Sequence, residues 1–263
     1  MDLGLTGKRA IVTAASAGLG FAAAEALAAE GAKVAICSRD LERARGAAQR
    51  IERQHDGAAV TALAADVANA KELERFFGEA IESLGGLDIL VCNAGGPPVG
   101  SFKSLSEEQW HVAYNLTLQS VARSVRLALP HFEKAGGGRV LALASSSVKR
   151  SLPNLLLSNV FRPAVHGLCR SLAMELASDN IQVNCLAPGR IATERTEQLD
   201  RANAEKTGVS FEEIRARSVA QIPMGRFGTP EEFGRVAAFL CSPAAIYISG
   251  STIFVDGAAV NCL

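Results

Sequence analysis

Phenolic side chains are scarce in this chain: among 263 residues there are two tyrosines, Tyr114 and Tyr247. Chemistry that needs a tyrosine as an acid has two places to find one. An excess of one charge is lacking too. Lysine plus arginine and aspartate plus glutamate each total 27, and no basic block stands out, which argues against nucleic acid or a membrane surface as the main partner. No apolar run approaches the roughly 18 residues of a membrane span. The first residues, MDLGLTGKRAIVTAAS, lack the charged start and long apolar stretch of a secretory signal, so a cytoplasmic protein is expected. Six cysteines, Cys37, Cys92, Cys169, Cys185, Cys241 and Cys262, lie far apart without a C-x-x-C pair. Buried reduced thiols are expected in preference to disulfides or metal ligands, and no metal site is expected.

What the chain does have is alternation. RAIVTA, KVAICS, AVTALAAD, LDILVCNAG, GRVLALAS, IQVNCLAP and STIFVDG are short, nearly continuous apolar runs, the pattern of strands buried on both faces. Helix patterns separate them. In KELERFFGEAIESLG the residues Leu73, Phe76, Phe77, Ala80, Ile81 and Leu84 make one stripe at helical spacing. Such alternation requires parallel strands joined by crossovers. The expectation is α/β: one doubly wound, Rossmann-type domain over residues 1–263, with about seven parallel strands and helices on both faces. Neither an internal repeat nor a Pro/Gly/Ser-rich linker divides it. One segment breaks the rhythm. Residues 190–226, RIATERTEQLDRANAEKTGVSFEEIRARSVAQIPMGR, are polar, charged and helix-prone, and follow a strand end. Excursions at strand carboxyl ends usually cover the ligand crevice; a solvated pair of surface helices is the alternative.

The loop after the first strand, TAASAGLG from Thr13 to Gly20, opens into an Ala-rich helix. Gly18 and Gly20 allow a pyrophosphate close to the backbone, and the helix start offers N–H groups and the positive end of its dipole. The second strand ends in ICSRD. An acid at that turn would bind the ribose 2′-hydroxyl of NAD. Ser38 and Arg39 stand there instead, and Arg39 can pair with a 2′-phosphate, which favours NADP(H) over NAD(H). Asp40 beside it offers the competing role of a surface ion pair.

These pieces join ADV at Asp66, CNAG ending at Gly95, NLT at Asn115, SSS from Ser145 to Ser147, APG from Ala187 to Gly189, and GRFGTPEE near the end. Together they resemble the short-chain dehydrogenase/reductase family over nearly the whole chain, close in layout to the 3-oxoacyl-(acyl carrier protein) reductases. The resemblance implies cofactor contacts from Ala14, Ser16, Gly18, Leu19 and Gly20 in the loop and from Ser38 and Arg39. It places Asp66 and Val67 at the adenine, Asn93, Ala94 and Gly95 beneath the cofactor, and Pro188, Gly189, Ile191 and Thr193 at the nicotinamide. A small carbonyl or alcohol substrate and a homotetramer are implied as well. Ala14 departs from the family's glycine. If that position needs a positive φ, the methyl costs about 1 kcal/mol.

The same resemblance implies a catalytic set. In the family a tyrosine gives the growing alkoxide its proton, and a lysine one helical turn later, with the nicotinamide ribose, lowers that tyrosine's pKa. A serine polarises the carbonyl and an asparagine on another helix positions a relay water. Counted back from RSLAMELASDNIQVN, the tyrosine and lysine positions hold Ser158 and Arg162; the serine is Ser145 and the asparagine is Asn115. A serine hydroxyl is far less acidic than a phenol, whose reference pKa is about 10. Arg162 moves no proton at working pH, although it can bind the cofactor ribose or stabilise an oxyanion. Pro163 should kink the helix or delay its start. Lys149, His166 and His111 are other candidate donors, each with a plainer role as a solvated or internally bonded side chain. Water held near Asn115 is one more.

The reading from sequence is therefore an NADP(H)-dependent oxidoreductase, similar to the 3-oxoacyl reductases, with an atypical proton donor and a covering segment that sets substrate size. The alternative is a protein that kept the cofactor and lost turnover, as a redox-ratio sensor or partner subunit. A methyltransferase on a similar sheet fits CNAG, APGRIAT and Ser145 poorly.

Overall fold

The computed structural model describes residues 2–261. All seven apolar runs contain strands: β1 (Arg9–Val12), β2 (Lys33–Ser38), β3 (Ala59–Ala64), β4 (Ile89–Cys92), β5 (Gly138–Leu143), β6 (Ile181–Pro188) and β7 (Thr252–Val255). They form one sheet in the order β3-β2-β1-β4-β5-β6-β7, and every neighbouring pair is parallel. The helices are α1 (Gly18–Ala29), α2 (Leu41–Gln54), α3 (Ala70–Leu84), α4 (Glu107–Ala113), α5 (Ser120–Ala135), α6 (Leu156–Glu175), α7 (Glu194–Thr207), α8 (Phe211–Ala220) and α9 (Pro230–Cys241).

The apolar stripes decide which face each helix covers. Leu73, Phe76, Phe77 and Ala80 of α3 pack with Val125 of α5 and Val165 and Cys169 of α6 on one side of the sheet. Ala23 and Leu27 of α1, Ile51 of α2 and Phe233 and Ala237 of α9 fill the other side. Each large apolar side chain buried this way contributes about 1.5–3 kcal/mol. The strand order reverses direction between β1 and β4, and at such a point the carboxyl ends of the two strands part to leave a crevice. At the opposite end of the same pair, Arg9 clasps Asp88 (Nε–Oδ2 2.7 Å, Nη2–Oδ1 3.0 Å). Burial pushes the Asp88 carboxyl up, but the bonds and charge of Arg9 outweigh it and hold the group below the usual carboxylate range.

Two local features differ from a plain reading of the sequence. Between α4 and α5 the chain makes a π-helical turn, Tyr114–Gln119, so that the N–H of Ser120 bonds back to the carbonyl of Asn115. One extra residue is thereby inserted where Asn115 sits. The late start expected from Pro163 does not occur. α6 begins at Leu156, places Ser158 in its first turn and runs on through Pro163. Residues 190–226 form α7 and α8 with their connections. Cys37, Cys92, Cys169, Cys185 and Cys241 are buried free thiols; Cys262 lies outside the described residues. Among the described residues no cluster of His, Cys, Asp and Glu is arranged for a metal ion, and no helix is long and apolar enough to cross a membrane.

Candidate active site

The crevice is built first from backbone. Thr13, just past β1, donates its hydroxyl to the Asn93 carbonyl (2.7 Å) and accepts the Asn93 N–H (2.8 Å), which locks the ends of β1 and β4 together. Asn93 Nδ2 then donates to the Ala14 carbonyl (2.9 Å). A side chain on Gly20 would collide with that amide and stand 2.8 Å from the Ala14 oxygen, so the first turn of α1 has to be bare. Ala14 itself has φ 49°. The departure from glycine thus falls on a left-handed position, at a cost of about 1 kcal/mol.

Like α6, whose N-cap is Leu155, α1 starts without a side-chain cap, unlike α2, α3, α7 and α9. Its N-cap, Ala17, has no side chain to satisfy the first N–H groups, and no acid lies in its first turn. Asp40, Asn69, Thr193 and Thr229 cap α2, α3, α7 and α9. An uncapped helix start leaves several donors and a positive dipole end for an anion. Leu19, between Gly18 and Gly20, packs with the core on the α1 side. Beside the loop, Ser16 Oγ donates to Ser38 Oγ (3.2 Å). Arg39 is exposed and makes no ion pair among the described residues. Asp40, its expected competitor, caps α2 by accepting the N–H groups of Glu42 (2.9 Å) and Arg43 (3.2 Å).

The remaining cofactor candidates sit at strand ends around the same crevice. Asp66 holds the turn after β3 by accepting the Ala68 N–H (2.9 Å), with Val67 buried beside it. Ala94 and Gly95 follow Asn93, and there is open space where a Gly95 side chain would stand. Pro188 ends β6, Gly189 donates to the Val255 carbonyl (2.9 Å), Ile191 bridges to Gly228, and Thr193 opens α7. A bare turn and an uncapped helix together fit the pyrophosphate of a dinucleotide, with the Arg39 guanidinium unpaired beside them.

The catalytic candidates are placed less openly. Ser158 and Arg162 are each 8% exposed. The Ser158 hydroxyl pairs with Ser147 Oγ (3.2 Å), which also reaches the Ser158 carbonyl (3.2 Å). Arg162 Nη1 donates to the carbonyl of Leu143, the last residue of β5 (2.5 Å). Burial pushes the Arg162 guanidinium down to about 10, with Cys185 opposing the shift, so it remains a cation at neutral pH without a carboxylate partner. Ser145, half-buried, accepts the Ser147 N–H (3.1 Å) and keeps its own hydroxyl proton to donate. Asn115 Nδ2 donates to the His111 carbonyl (3.1 Å), while Asn115 Oδ1 accepts from Arg123 Nη2 (3.1 Å). Arg123 Nη1 in turn donates to the Ala68 carbonyl (3.1 Å), so one guanidinium joins the turn after β3 to the π-helical turn.

The other candidate donors are engaged elsewhere or lie in solvent. His166 Nδ1 bonds Thr252 Oγ1 (2.7 Å), and burial, with the charges of Arg170 and Lys149, lowers its pKa. His111 and Lys149 are exposed. Tyr114 lies against Phe161 of α6 (centroids 6.1 Å apart), but its hydroxyl takes the Gln119 amide, and Tyr247 is fully exposed. Ser147, Arg123 and Arg195 were not singled out from sequence. SSS marks Ser147 as part of a cluster, but nothing in the order of residues says which of the three meets α6.

Around the mouth, the Gly100 N–H bonds the Asn154 carbonyl (2.9 Å), Lys206 of α7 reaches Asn154 Oδ1 (3.2 Å), and Arg195 of α7 reaches the Pro97 carbonyl (3.4 Å). Behind α7 a cavity of about 260 Å³ is lined by Thr193, Glu194, Glu197, Arg215 and Phe227 among others.

Comparison with known proteins matches this picture. Residues 13–258 fit the family described as enoyl-(acyl carrier protein) reductase. Dehydrogenase/reductase SDR family member 4 of Oryctolagus cuniculus is 37% identical over 260 residues, spanning 98% of this chain and 96% of that protein. The structure of L-sorbose reductase from Gluconobacter frateurii, complexed with NADPH and L-sorbose, matches over 100% of both chains with a TM-score of 0.94 and 32% identity. A 7α-hydroxysteroid dehydrogenase complexed with NADH and 7-oxo glycochenodeoxycholic acid matches 98% of this chain and 96% of its own, with a TM-score of 0.88 and 32% identity. Alike along its length in sequence and in overall structure, the chain belongs to the short-chain dehydrogenase/reductase family of oxidoreductases.

Proposed function

We propose that the protein is an NADP(H)-dependent oxidoreductase that interconverts a small carbonyl compound and its alcohol without a phenolic acid. The observation that carries the reading is the intact cofactor end: the bare turn at Gly20 under Asn93, the uncapped start of α1, and Arg39 free for a 2′-phosphate. The nicotinamide, when bound, supplies or takes up the hydride. Gly18, Leu19 and Gly20 hold the pyrophosphate, Ser16, Ser38 and Arg39 the phosphorylated ribose, and Asp66 and Val67 the adenine. Asn93, Ala94 and Gly95 floor the site, and Pro188, Gly189, Ile191 and Thr193 flank the nicotinamide.

For the carbonyl, Ser145 donates its hydroxyl proton in a hydrogen bond to the oxygen. Arg162, a cation in a water-poor setting, favours negative charge developing nearby. No side chain in the set is a good acid at neutral pH, so the proton comes from water near Asn115. Segment 190–226 covers the substrate. The similarity of layout to 3-oxoacyl reductases puts 3-oxoacyl thioesters among the first compounds to try.

A second reading has its own observation. Ser158 is held by Ser147 and Arg162 by Leu143, as in a site that has exchanged catalysis for packing and binds NADP(H) as a sensor or partner subunit. NADPH oxidation against ketones and 3-oxoacyl thioesters, with Ser158→Tyr/Arg162→Lys alongside, separates the two. Turnover by the native chain is expected. Turnover by the double variant alone would give the binding reading the lead, and no NADPH binding by either would sink both.

A further inference from the structure

The chain as a whole is neutral, yet the segments that rim the crevice are not evenly charged. Residues 95–105 carry Lys103 and no acid, and residues 149–155 carry Lys149 and Arg150 and no acid. Arg195 and Lys206 come from α7. Where these five cations have a recorded partner it is neutral: the Ala259 carbonyl for Arg150, the Pro97 carbonyl for Arg195, and the Asn154 amide for Lys206. Most acids nearby are engaged. Asp200 holds Arg190 (2.6 Å), Glu197 holds Arg201 (2.6 Å), and Asp256 accepts the N–H groups of Ala258 (3.0 Å) and Val260 (2.8 Å). Glu194 and Glu205 of α7 are without a partner among the described residues, and Glu194 lines a hollow together with Arg215.

Arg195 is the best placed of the five. It lies two residues beyond Thr193, and its guanidinium packs over Gly96, one residue beyond the Asn93–Gly95 floor. A side chain at Gly96 would stand 3.0 Å from Arg195 Nη2. The fork therefore spans the crevice beside the nicotinamide end, and its one hydrogen bond, at 3.4 Å, is long. A guanidinium keeps five donors in a planar fork that matches a carboxylate or phosphate two bonds at a time. Lysines along the rim add a field that draws anions toward a narrow opening.

We infer that the carbonyl substrate carries an oxyanion, a carboxylate or phosphate, and that Arg195 binds it. This rests on the oxidoreductase reading and names the substrate class for that same site. Arg195 acts here as a specificity residue, and the bare Gly96 lets the fork lie close against the chain at the opening.

The test uses the full chain loaded with NADP⁺, whose binding is measured first and separately. Two matched pairs of probes distinguish the sources of the anion: 3-oxo acids of medium chain length against their methyl esters, and 3-oxoacyl thioesters of phosphopantetheine against those of pantetheine. Affinities are read by ligand-observed NMR titration. In at least one pair the charged member should bind about tenfold tighter. Arg195→Met should reduce that gap to about twofold, with Arg195→Lys in between and all three proteins melting alike, since Arg195 is exposed. Equal affinity within both pairs, a preference that survives Arg195→Met, or no binding by either charged probe overturns the inference. Failure to bind NADP⁺ would instead remove the oxidoreductase reading beneath it.

Discussion

At the scale of single residues the unusual one is Arg162. It is a buried cation whose one hydrogen bond goes to a neutral carbonyl, and burying a charge without a partner is costly. Burial lowers its pKa to about 10, while in the unfolded chain it keeps its ordinary, higher value. Between those two values the unfolded state holds the proton and the folded state releases it, so the contribution of this one group to stability rises as pH climbs through about 10, against the buried Cys37 and Cys241 thiols, which burial pushes up to about 12 and which lower stability over the same range. Below that, the desolvation cost is fully present. Arg162→Met should therefore be more stable near neutral pH, by about 1 kcal/mol or more after losing the Leu143 bond, and its advantage over the native chain should shrink above about pH 10. Urea unfolding of both proteins across the alkaline range reads this directly. NADPH should bind the variant more weakly if the guanidinium serves the cofactor ribose. A variant that unfolds more easily at neutral pH would show that Arg162 is there for packing.

At the scale of elements, the sequence shows strands plainly and meetings poorly. The five inner strands are legible because a strand buried on both faces must be apolar throughout, the edge strands β3 and β7 are apolar too although only partly buried, and the α3 stripe is legible because Leu73, Phe76, Phe77 and Ala80 recur at helical spacing. The pyrophosphate loop is legible for the same local reason, since Gly18 and Gly20 sit between a strand and a helix. The π-helical turn at Asn115, the Ser147–Ser158 hydroxyl pair and the Arg123 tie to Ala68 are not legible. Each depends on two segments far apart in the chain arriving side by side, and YNLTLQ differs in no obvious way from an α-helical stretch. Pro163 misleads, because its missing N–H falls inside a helix that starts seven residues earlier and is held by packing. The uncapped start of α1 lies between these cases: Ala17 is visible in the sequence, but its meaning depends on where that helix begins. It yields a prediction with opposed signs. Ala17→Asp should cap α1 and stabilise the free protein by about 0.5–2 kcal/mol, while its charge repels a pyrophosphate and weakens NADPH. Melting temperature and NADPH titration should move in opposite directions. If NADPH binds the variant as tightly as the native chain, the α1 start is not the phosphate site.

At the scale of the whole molecule, cofactor binding should appear as stability. A ligand held only by the native state stabilises it by RT ln(1 + [L]/Kd), about 2.7 kcal/mol at a hundredfold excess over Kd. For a chain of this size that is a rise of roughly 5–10 °C in melting temperature. NADPH and NADH differ only by the 2′-phosphate, and the group on this chain free to meet it is Arg39, exposed beside Ser38. A charge-assisted bond of that kind contributes about 1.5–3 kcal/mol, so NADPH should raise the melting temperature well above the rise given by NADH at equal concentration. Arg39→Ala removes the cation from an exposed turn where it supports no other contact, and Asp40 continues to cap α2. The free variant should melt as the native chain does, and the advantage of NADPH over NADH should vanish. Added salt should weaken the same advantage, because an exposed pair is screened over a Debye length of about 8–10 Å. Should NADH stabilise the native chain as strongly as NADPH, the Arg39 turn would not be reading the phosphate, and the dinucleotide would be NAD(H).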